Sequence, residues 1–530
     1  MPVFIQEPCD ENVIRSAPQT APCAKSRGPW ILAATILASS MAFIDGTAVN
    51  VALPALQTNL NATAVDVQWV IEAYALLLSA LLLVGGSLGD HYGRRRVFLI
   101  GIALFAFASA ACGLAGSIHQ LIAARALQGL GAALLVPGSL AIISSSFSED
   151  QRGRAIGTWS GFSAITTAIG PVIGGWLIEH VSWRAVFFIN IPLALLIILI
   201  SLWRVPESSD PERAGLDWLG AGVAASGLGA LVYGLIESSR LGFNDRSVLA
   251  ALTAAVVLLA LFVIMERQVR NPMLPLALFR SRIFAATNLL TCLLYAALGG
   301  TLFFLPLNLI QVQHYSATAA GAALLPFILI ISLLSRWSGG LITSYGPKLP
   351  LLIGSLIAAS GYLLFMLPAV GGSYWIKFFP PVAVLGLGMA ICVAPLTTAV
   401  MSSVAENHAG IASGVNNAVA RTASLVAIAV LGIVMLHVFN HALDSRLAEW
   451  NVPPSVTRSL QMQRTKLAAI AIPEDQDPAS QQLIRSAIDE SFVSGFRMVV
   501  ALGAALAVAS AATALFWIRA TPGLRAAQKT

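Results

Sequence analysis

Long apolar runs, repeated along almost the whole chain, limit more than any other feature what this sequence can fold into. A helix needs about 20 apolar residues to span a bilayer, and about 14 runs approach that length. They cover residues 30–54, 68–88, 97–116, 120–147, 155–178, 185–203, 217–236, 248–265, 283–309, 317–342, 349–368, 379–401, 411–439 and 495–518. Only 11% of the residues are charged, against about 25% in soluble domains. The sequence therefore predicts an all-α membrane protein with about 14 transmembrane helices, because helices satisfy their own backbone hydrogen bonds in lipid.

The basic residues predict the topology of these helices. An even number of spans puts both termini on one side, and Lys and Arg near short loops stay cytoplasmic. With the N-terminus inside, the inner segments hold roughly 18 cations and the short outer loops roughly 4. The net charge of +6 therefore lies in turns between apolar runs. This arrangement fits a lipid bilayer rather than nucleic acid, and it predicts a multi-pass protein of the plasma (inner) membrane with both termini cytoplasmic.

Motifs for metal, cofactor or nucleotide chemistry are missing from the sequence. The five cysteines show no metal-ligand spacing, and the chain has no H-E-x-x-H or G-x-x-x-x-G-K segment. The polar stretch before the first run has no apolar core, so it does not read as a secretory signal. We expect no metal, no cofactor and no enzymatic activity, with a proton gradient rather than ATP as the source of energy.

A short basic turn, residues 86–97, separates the second and third apolar runs. Its glycines let two helices turn closely, and its acid and arginines can form an ion-pair latch at the membrane surface. The turn resembles the G-x-L-x-D-x-x-G-R-R-x signature of the major facilitator superfamily. The matching residues include Gly86, Asp90, Gly93, Arg94 and Arg95. The resemblance implies a conformational latch that stabilises one access state; a turn that only sets topology is the alternative.

The order of the runs suggests two halves with an insert. Without residues 205–282 two sets of six runs remain, which matches the six-plus-six plan of that superfamily. The two apolar runs within residues 205–282 resemble the extra pair of helices in the 14-span drug:proton antiporter branch. The predicted segments are a cytoplasmic tail at 1–29, a six-helix bundle at 30–204, two extra helices with a cytoplasmic connector at 205–282, a second six-helix bundle at 283–519 with an extracytoplasmic loop at 441–494, and a cytoplasmic tail at 520–530.

Two charged residues within the spans are candidates for proton coupling. A charge at the bilayer centre costs about 2.5–3.5 kcal/mol on insertion scales, so such residues usually have a function. Asp45 lies in a segment that resembles the L-D-x-T-V-V-N-V-A-L-P motif of the 14-span branch, and Arg125 lies in one that resembles R-x-x-Q-G-x-G-A-A. Asp45 can bind and release a proton, while the permanently charged Arg125 favours its release. The alternative is a purely structural pair that ties the spans together.

A third charge, Glu72, lies near the outer end of the second run beside Trp69 and Tyr74. Some multidrug members of the superfamily carry an acid here that is linked to cationic drugs. A carboxylate and two aromatic rings together can attract a lipophilic cation. The alternative is an interfacial residue whose side chain reaches water.

Two further motifs complete the resemblance. The fifth run contains a G-P-x-x-G-G antiporter motif at Gly170, Pro171, Gly174 and Gly175. Its proline kinks a helix and its glycines permit close packing, which can seal one side of a pathway; generic small-residue packing is the alternative. The thirteenth run resembles S-G-x-N-N-x-V. Its candidate residues, which can line a cavity or bind lipid headgroups, are Asn416, Asn417 and Arg421.

Together these features predict a proton-coupled exporter of small amphipathic compounds, including cationic ones, of the multidrug-efflux type. An exporter of one endogenous metabolite has the same fold and is the first alternative. A membrane receptor or scaffold that docks partners on its outer loop, or an intramembrane enzyme, is a remote alternative.

Overall fold

The computed structural model describes residues 27–518 except 148, 210–216, 270–271, 273, 405–408, 451–453 and 474–475. Almost all of the predicted N-terminal tail and the whole C-terminal tail therefore lie outside the described residues. The described part of the chain is helical and has no strand. The principal helices, α1 to α14 in chain order, are Gly28–Asn59, Ala64–Tyr92, Arg94–Leu114, Ile118–Ser146, Glu149–His180, Asn190–Arg204, Trp218–Leu241, Arg246–Gln268, Arg282–Leu307, Leu325–Gly339, Lys348–Leu364, Phe379–Ser402, Ala409–Glu449 and Pro478–Trp517.

Each apolar run of the sequence overlaps one of these helices, and the sixth and tenth runs also contain shorter helices at Ala185–Phe188 and Ala317–Ala322. Twelve helical segments in the described chain are long and apolar enough to cross a membrane. The remaining two runs correspond to α5, with 32 residues, and to the shorter α11, with 17. The predicted fold class, an all-α membrane protein with about 14 apolar helices, is confirmed.

Two helix boundaries differ from those that hydropathy predicts. α13 continues to Glu449 and α14 begins at Pro478, so much of the predicted loop 441–494 is helical. Arg446 Nε donates to Glu490 Oε2 at 3.1 Å and joins the two polar extensions. Hydropathy measures the part of a helix that lies in lipid, and it misses polar turns that stabilise one another beyond the membrane. A further short helix, Pro454–Gln461, lies between them.

Prolines interrupt several of the predicted runs. The sixth run begins with the short helix Ala185–Phe188, and α6 follows with Pro192 in its first turn. Pro306 near the end of α9 precedes a π-helical turn at Asn308–Val312. A proline removes a backbone donor and clashes with the preceding turn, so helices restart or distort at these positions.

The surface of the helices is apolar and their contacts are close. Phe107, Leu333 and Phe516 are 67%, 77% and 78% exposed, as expected for side chains that face lipid tails. In contrast, a Cβ atom added to Gly131 of α4 would lie 2.6 Å from the Phe105 nitrogen of α3. Small residues thus bring these two backbones together, as is typical of membrane helices.

The chain divides into two compact units. The first comprises Met1–Val49, Val70–Leu228 and Leu258–Met273, and the second comprises Asn50–Trp69, Gly229–Val257 and Leu274–Thr530. Within the first unit, aromatic and aliphatic side chains of α3 and α4 form part of the core. Within the second, Gln311 Nε2 donates to Gln57 Oε1 at 2.7 Å. The predicted domain boundaries remain a prediction.

Candidate functional site

A buried ion pair joins α1 to α4 in the first unit. The Arg125 Nη1 atom lies 2.6 Å from Asp45 Oδ2, and neither residue is exposed. A charge-assisted hydrogen bond of this length is strong, and each charge compensates the other in the buried interior. The structure therefore brings together the two residues that the sequence predicts as a proton-coupling pair.

Uncharged donors complete the coordination of the Asp45 carboxylate. Its other oxygen, Oδ1, accepts from Gln128 Nε2 at 2.9 Å and from Asn190 Nδ2 at 3.1 Å. Both amides also donate to Ser109 Oγ, which itself donates to the carbonyl of Phe187. We call Asp45, Arg125, Gln128, Asn190 and Ser109 the Asp45 network; their side chains lie on α1, α3, α4 and α6.

Arg125 is held by further contacts with α2. Its Nε atom donates to the Val70 carbonyl at 3.1 Å, and its guanidinium lies 4.2 Å from the centre of the Tyr74 ring. Gly129 faces the backbone of Tyr74 so closely that a Cβ atom there would overlap the Tyr74 carbonyl oxygen. The glycine lets α2 approach α4, and the approach gives Arg125 its backbone and ring partners.

The G-P-x-x-G-G motif packs on the same part of α1. A Cβ atom on Gly174 would lie 2.6 Å from the Ala48 Cβ, and one on Gly170 would overlap the Thr47 hydroxyl. Pro171 and Gly175 are also buried in α5. The motif therefore places α5 directly against the turn of α1 that follows Asp45.

Two members of the Asp45 network, Ser109 and Asn190, were missed by the sequence analysis. Gln128 was recognised only as part of a motif, without a role. All three are polar residues inside apolar runs, which is the signal that could have identified them. That signal does not say which polar residues meet, because they come from helices far apart in the chain.

Glu72, Trp69 and Tyr74 do not form the single site that the sequence predicts. Trp69 Nε1 donates to Glu237 Oε1 on α7 at 3.2 Å, whereas Tyr74 packs under Arg125. Glu72 is fully buried, and neither carboxyl oxygen has a hydrogen-bond partner among the described residues. Three residues so close in sequence leave a helix in different directions, because successive side chains are rotated by about 100°.

The basic turn has the predicted ion pair between its acid and its first arginine. Arg94 Nε donates to Asp90 Oδ1 at 2.8 Å, an i, i+4 pair across the junction of α2 and α3. Gly93 has φ +107°, a conformation that favours glycine. Gly86 is half-buried on α2. The Asp90–Arg94 ion pair and the positive-φ backbone of Gly93 thus help to hold the turn together.

An acid that the sequence analysis missed, Glu207, holds the start of α3. Its Oε1 accepts a hydrogen bond from the backbone N–H of Arg95 at 2.9 Å, and its Oε2 accepts one from the backbone N–H of Arg96 at 3.2 Å. The first backbone N–H groups of a helix lack partners and carry partial positive charge, so a carboxylate is stabilising there. Arg95 Nη1 also donates to the Val205 carbonyl. An acid just after the sixth run, opposite three arginines, is the signal that was available.

In the second unit the candidate residues of α13 occupy different environments. Asn416 is buried and accepts a hydrogen bond from Thr291 Oγ1 of α9 at 2.6 Å. Asn417 is exposed and Arg421 is half-buried. Asn416 therefore joins two helices, whereas Asn417 presents its amide on the surface of its unit.

Clusters of metal ligands are not found in the part of the chain that the structure describes: no three His, Cys, Asp or Glu side chains there are placed to share an ion. The polar chemistry of the Asp45 network is instead that of a carboxylate, a guanidinium and neutral amides. Such groups can exchange a proton and compensate a charge.

Known proteins resemble this chain in sequence and in fold. The profile of the Major Facilitator Superfamily matches residues 35–428. The tetracenomycin C resistance and export protein of Streptomyces glaucescens is 34% identical over 519 residues, which cover 96% of this chain and 95% of that protein. The multidrug resistance protein Stp of Mycobacterium tuberculosis is 36% identical over 428 residues, 81% of this chain and 79% of that protein. A bacterial homologue of the human lysosomal transporter Spinster has a similar fold, with a TM-score of 0.65, 15% identity, and coverage of 94% of this chain and 98% of that one.

Proposed function

This chain belongs to the Major Facilitator Superfamily, and from that premise we propose that it exports small amphipathic compounds, including cationic ones, in exchange for protons. Relatives that match most of the chain are named for resistance to or export of tetracenomycin C, methylenomycin A and puromycin, or for multidrug resistance. These names support an antibiotic-like cargo. In this proposal the protein lies in the plasma (inner) membrane, and both of its termini are in the cytoplasm.

The observation that carries the proposal is the Asp45–Arg125 ion pair in a fully buried network. In the structure the Asp45 carboxyl group accepts hydrogen bonds from three donors, Arg125, Gln128 and Asn190. A proton on Asp45 Oδ2 would remove the charge that Arg125 compensates and weaken their bond. Arg125 would then interact more strongly with its other acceptors, Gln128 Oε1 and the Val70 carbonyl. Proton binding thereby changes the contacts between α1, α4 and α2.

The surrounding motifs provide the means to turn this change into movement. α5 packs on the turn after Asp45 through Gly170 and Gly174, so a shift of α1 must move α5 as well. Interfaces packed this closely switch between discrete arrangements rather than deforming continuously. In the proposal, the basic turn, including Asp90 and Arg94, stabilises one of the two access states. Glu72, Trp69, Tyr74, Asn416, Asn417 and Arg421 remain candidates for contact with the cargo.

The energy of the proton gradient suffices for useful export. One proton moving inward through 100 mV supplies about 2.3 kcal/mol. That energy corresponds to a concentration ratio of roughly fifty-fold for an uncharged cargo exchanged for one proton. A pH difference across the membrane adds to this value.

Reconstitution of the full chain in liposomes tests the proposal. A pH step is imposed, and the movement of a panel of dyes and antibiotics, including ethidium and puromycin, is followed. We expect ΔpH-driven transport of several members of the panel, abolished by a protonophore. Transport of a single metabolite and of no dye would favour the alternative exporter. Transport that is unaffected by the protonophore would overturn proton coupling.

A further inference from the structure

Glu72 differs from the other buried acids of the described chain whose contacts are resolved. The Asp45 carboxylate accepts from three donors, and Glu207 accepts from three backbone N–H groups. Glu237 accepts from the Trp69 indole and, through two hydrogen bonds, from Arg240. Glu72 is equally buried, yet neither of its oxygens has a hydrogen bond and no basic side chain pairs with it among the described residues. The site described above does not account for this carboxyl group.

The physical consequence concerns the charge of Glu72. An isolated ionised carboxylate in an apolar interior costs far more free energy than a neutral carboxylic acid, and the group takes up a proton instead. In the same conformation Asp45 has the opposite environment, since Arg125, Gln128 and Asn190 all donate to it.

We propose that Glu72 is a second proton-binding site: in this conformation it holds a proton on its carboxyl group while Asp45 pairs with Arg125. Its part in transport depends on the function proposed above. The proton leaves Glu72 for a water molecule only when α2 moves so that the carboxyl group is no longer enclosed, and the resulting carboxylate can then pair with a cationic cargo. Glu72 and Asp45 are thus protonated in different states of the cycle.

A short connection links the two carboxyl groups. The Val70 carbonyl, two residues before Glu72 on α2, accepts a hydrogen bond from Arg125 Nε, and the same guanidinium pairs with Asp45. When Asp45 binds a proton, Arg125 interacts more strongly with the Val70 carbonyl and thereby shifts this turn of α2. The enclosure of Glu72 therefore depends on the state of Asp45. A cargo cation that reaches Glu72 would find an ionisable carboxyl group without a competing internal cation.

Infrared spectroscopy of the purified full chain in lipid nanodiscs tests the protonation state without any cargo. We expect wild type at pH 7 to show the C=O band of a protonated carboxylic acid free of strong hydrogen bonds. Glu72→Gln should lose this band, whereas Asp45→Asn and Glu237→Gln should retain it. Glu237 is the matched control, because it is a buried glutamate with hydrogen-bond and ion-pair partners. A wild-type minus Glu72→Gln difference spectrum without an acid band would overturn the proposal.

A transport measurement tests the role of this proton. In proteoliposomes that export ethidium, the ratio of protons to cargo is obtained from the membrane voltage at which net flux reverses. We expect Glu72→Gln to lower the ratio by one proton; an unchanged ratio would overturn the role in transport. If wild type exports nothing, the proposed function fails, and the infrared band alone decides whether Glu72 holds a proton.

Discussion

Gly174 of α5 faces Ala48 of α1 with no room for a side chain: a Cβ atom at position 174 would lie 2.6 Å from the Ala48 Cβ and 2.9 Å from its Cα. Ala48 is three residues after Asp45 and belongs to the same helix. The packing of α5 and the position of the buried carboxylate therefore depend on each other. This relationship between a glycine motif and an acid motif gives the first prediction.

Gly174→Ala should destabilise the protein and lower efflux, because the added methyl group overlaps a fixed part of α1. Overpacking of a close contact costs about 1–3 kcal/mol. Gly222→Ala in α7 is the matched control, since no atom lies within 4 Å of a Cβ built there. Thermal unfolding in detergent measures the effect. Equal midpoints of thermal unfolding for the two variants would show that α1 and α5 can move apart to accommodate a methyl group at little cost.

Asp45→Asn should abolish ΔpH-driven efflux while the protein is still expressed in the membrane. The amide keeps the shape of the side chain and an acceptor oxygen, but it cannot exchange a proton. Arg125 retains Gln128 Oε1 and the Val70 carbonyl as partners. Efflux from proteoliposomes and the amount of protein in the membrane are measured together. Unchanged ΔpH-driven efflux would remove Asp45 from the coupling mechanism.

Arg125→Lys should retain partial efflux at most. The guanidinium donates at once to Asp45, Gln128 and the Val70 carbonyl, and a single ammonium group on a flexible stem cannot reproduce that planar geometry. We expect a fall in the rate of roughly ten-fold or more, as for the loss of a hydrogen bond to a charged group. Initial rates at matched protein levels provide the measurement. Full activity would indicate that charge alone matters at this position.

Asn190→Ala tests a residue whose importance emerges only from the structure. Its amide donates both to Asp45 Oδ1 and to Ser109 Oγ, so its loss leaves a buried carboxylate with one donor fewer. We expect coupled efflux to fall by about ten-fold, from the value of one hydrogen bond to a charged group. Ser139→Ala on α4 is the control, because the Ser139 hydroxyl donates only within its own helix, to Leu135. Similar rates for both variants would contradict a specific contribution of Asn190.

Gly93→Ala should weaken the basic turn more than Gly89→Ala does. Gly93 has φ +107°, and its Cβ would lie 2.8 Å from Glu207 Oε1; the nearest atom to a Cβ on Gly89 is 3.8 Å away. The alanine must therefore strain the backbone and displace the carboxylate that holds the start of α3. We expect a lower unfolding midpoint and slower efflux for Gly93→Ala alone. Comparable behaviour of the two variants would show that Glu207 can move without consequence.

Local sequence patterns predicted most of the fold because the bilayer imposes a simple rule. A run such as 97–116 is long and apolar enough to span, and it folds as α3, Arg94–Leu114. The rule fails where helices leave the lipid. The extensions of α13 and α14 are polar. A contact between Arg446 and Glu490, which are 44 residues apart in the chain, stabilises them.

The sequence by itself determined the fold class, the family and the identity of the Asp45–Arg125 pair, because a charge inside an apolar run is costly and rarely accidental. Tertiary structure alone decided which partners such a charge has. Asp45 receives donors from α4 and α6, whereas Glu72, just as polar in the sequence, receives none from the residues that the structure describes. The difference arises from helix rotation and packing, which bring together side chains from distant segments and which no local pattern encodes.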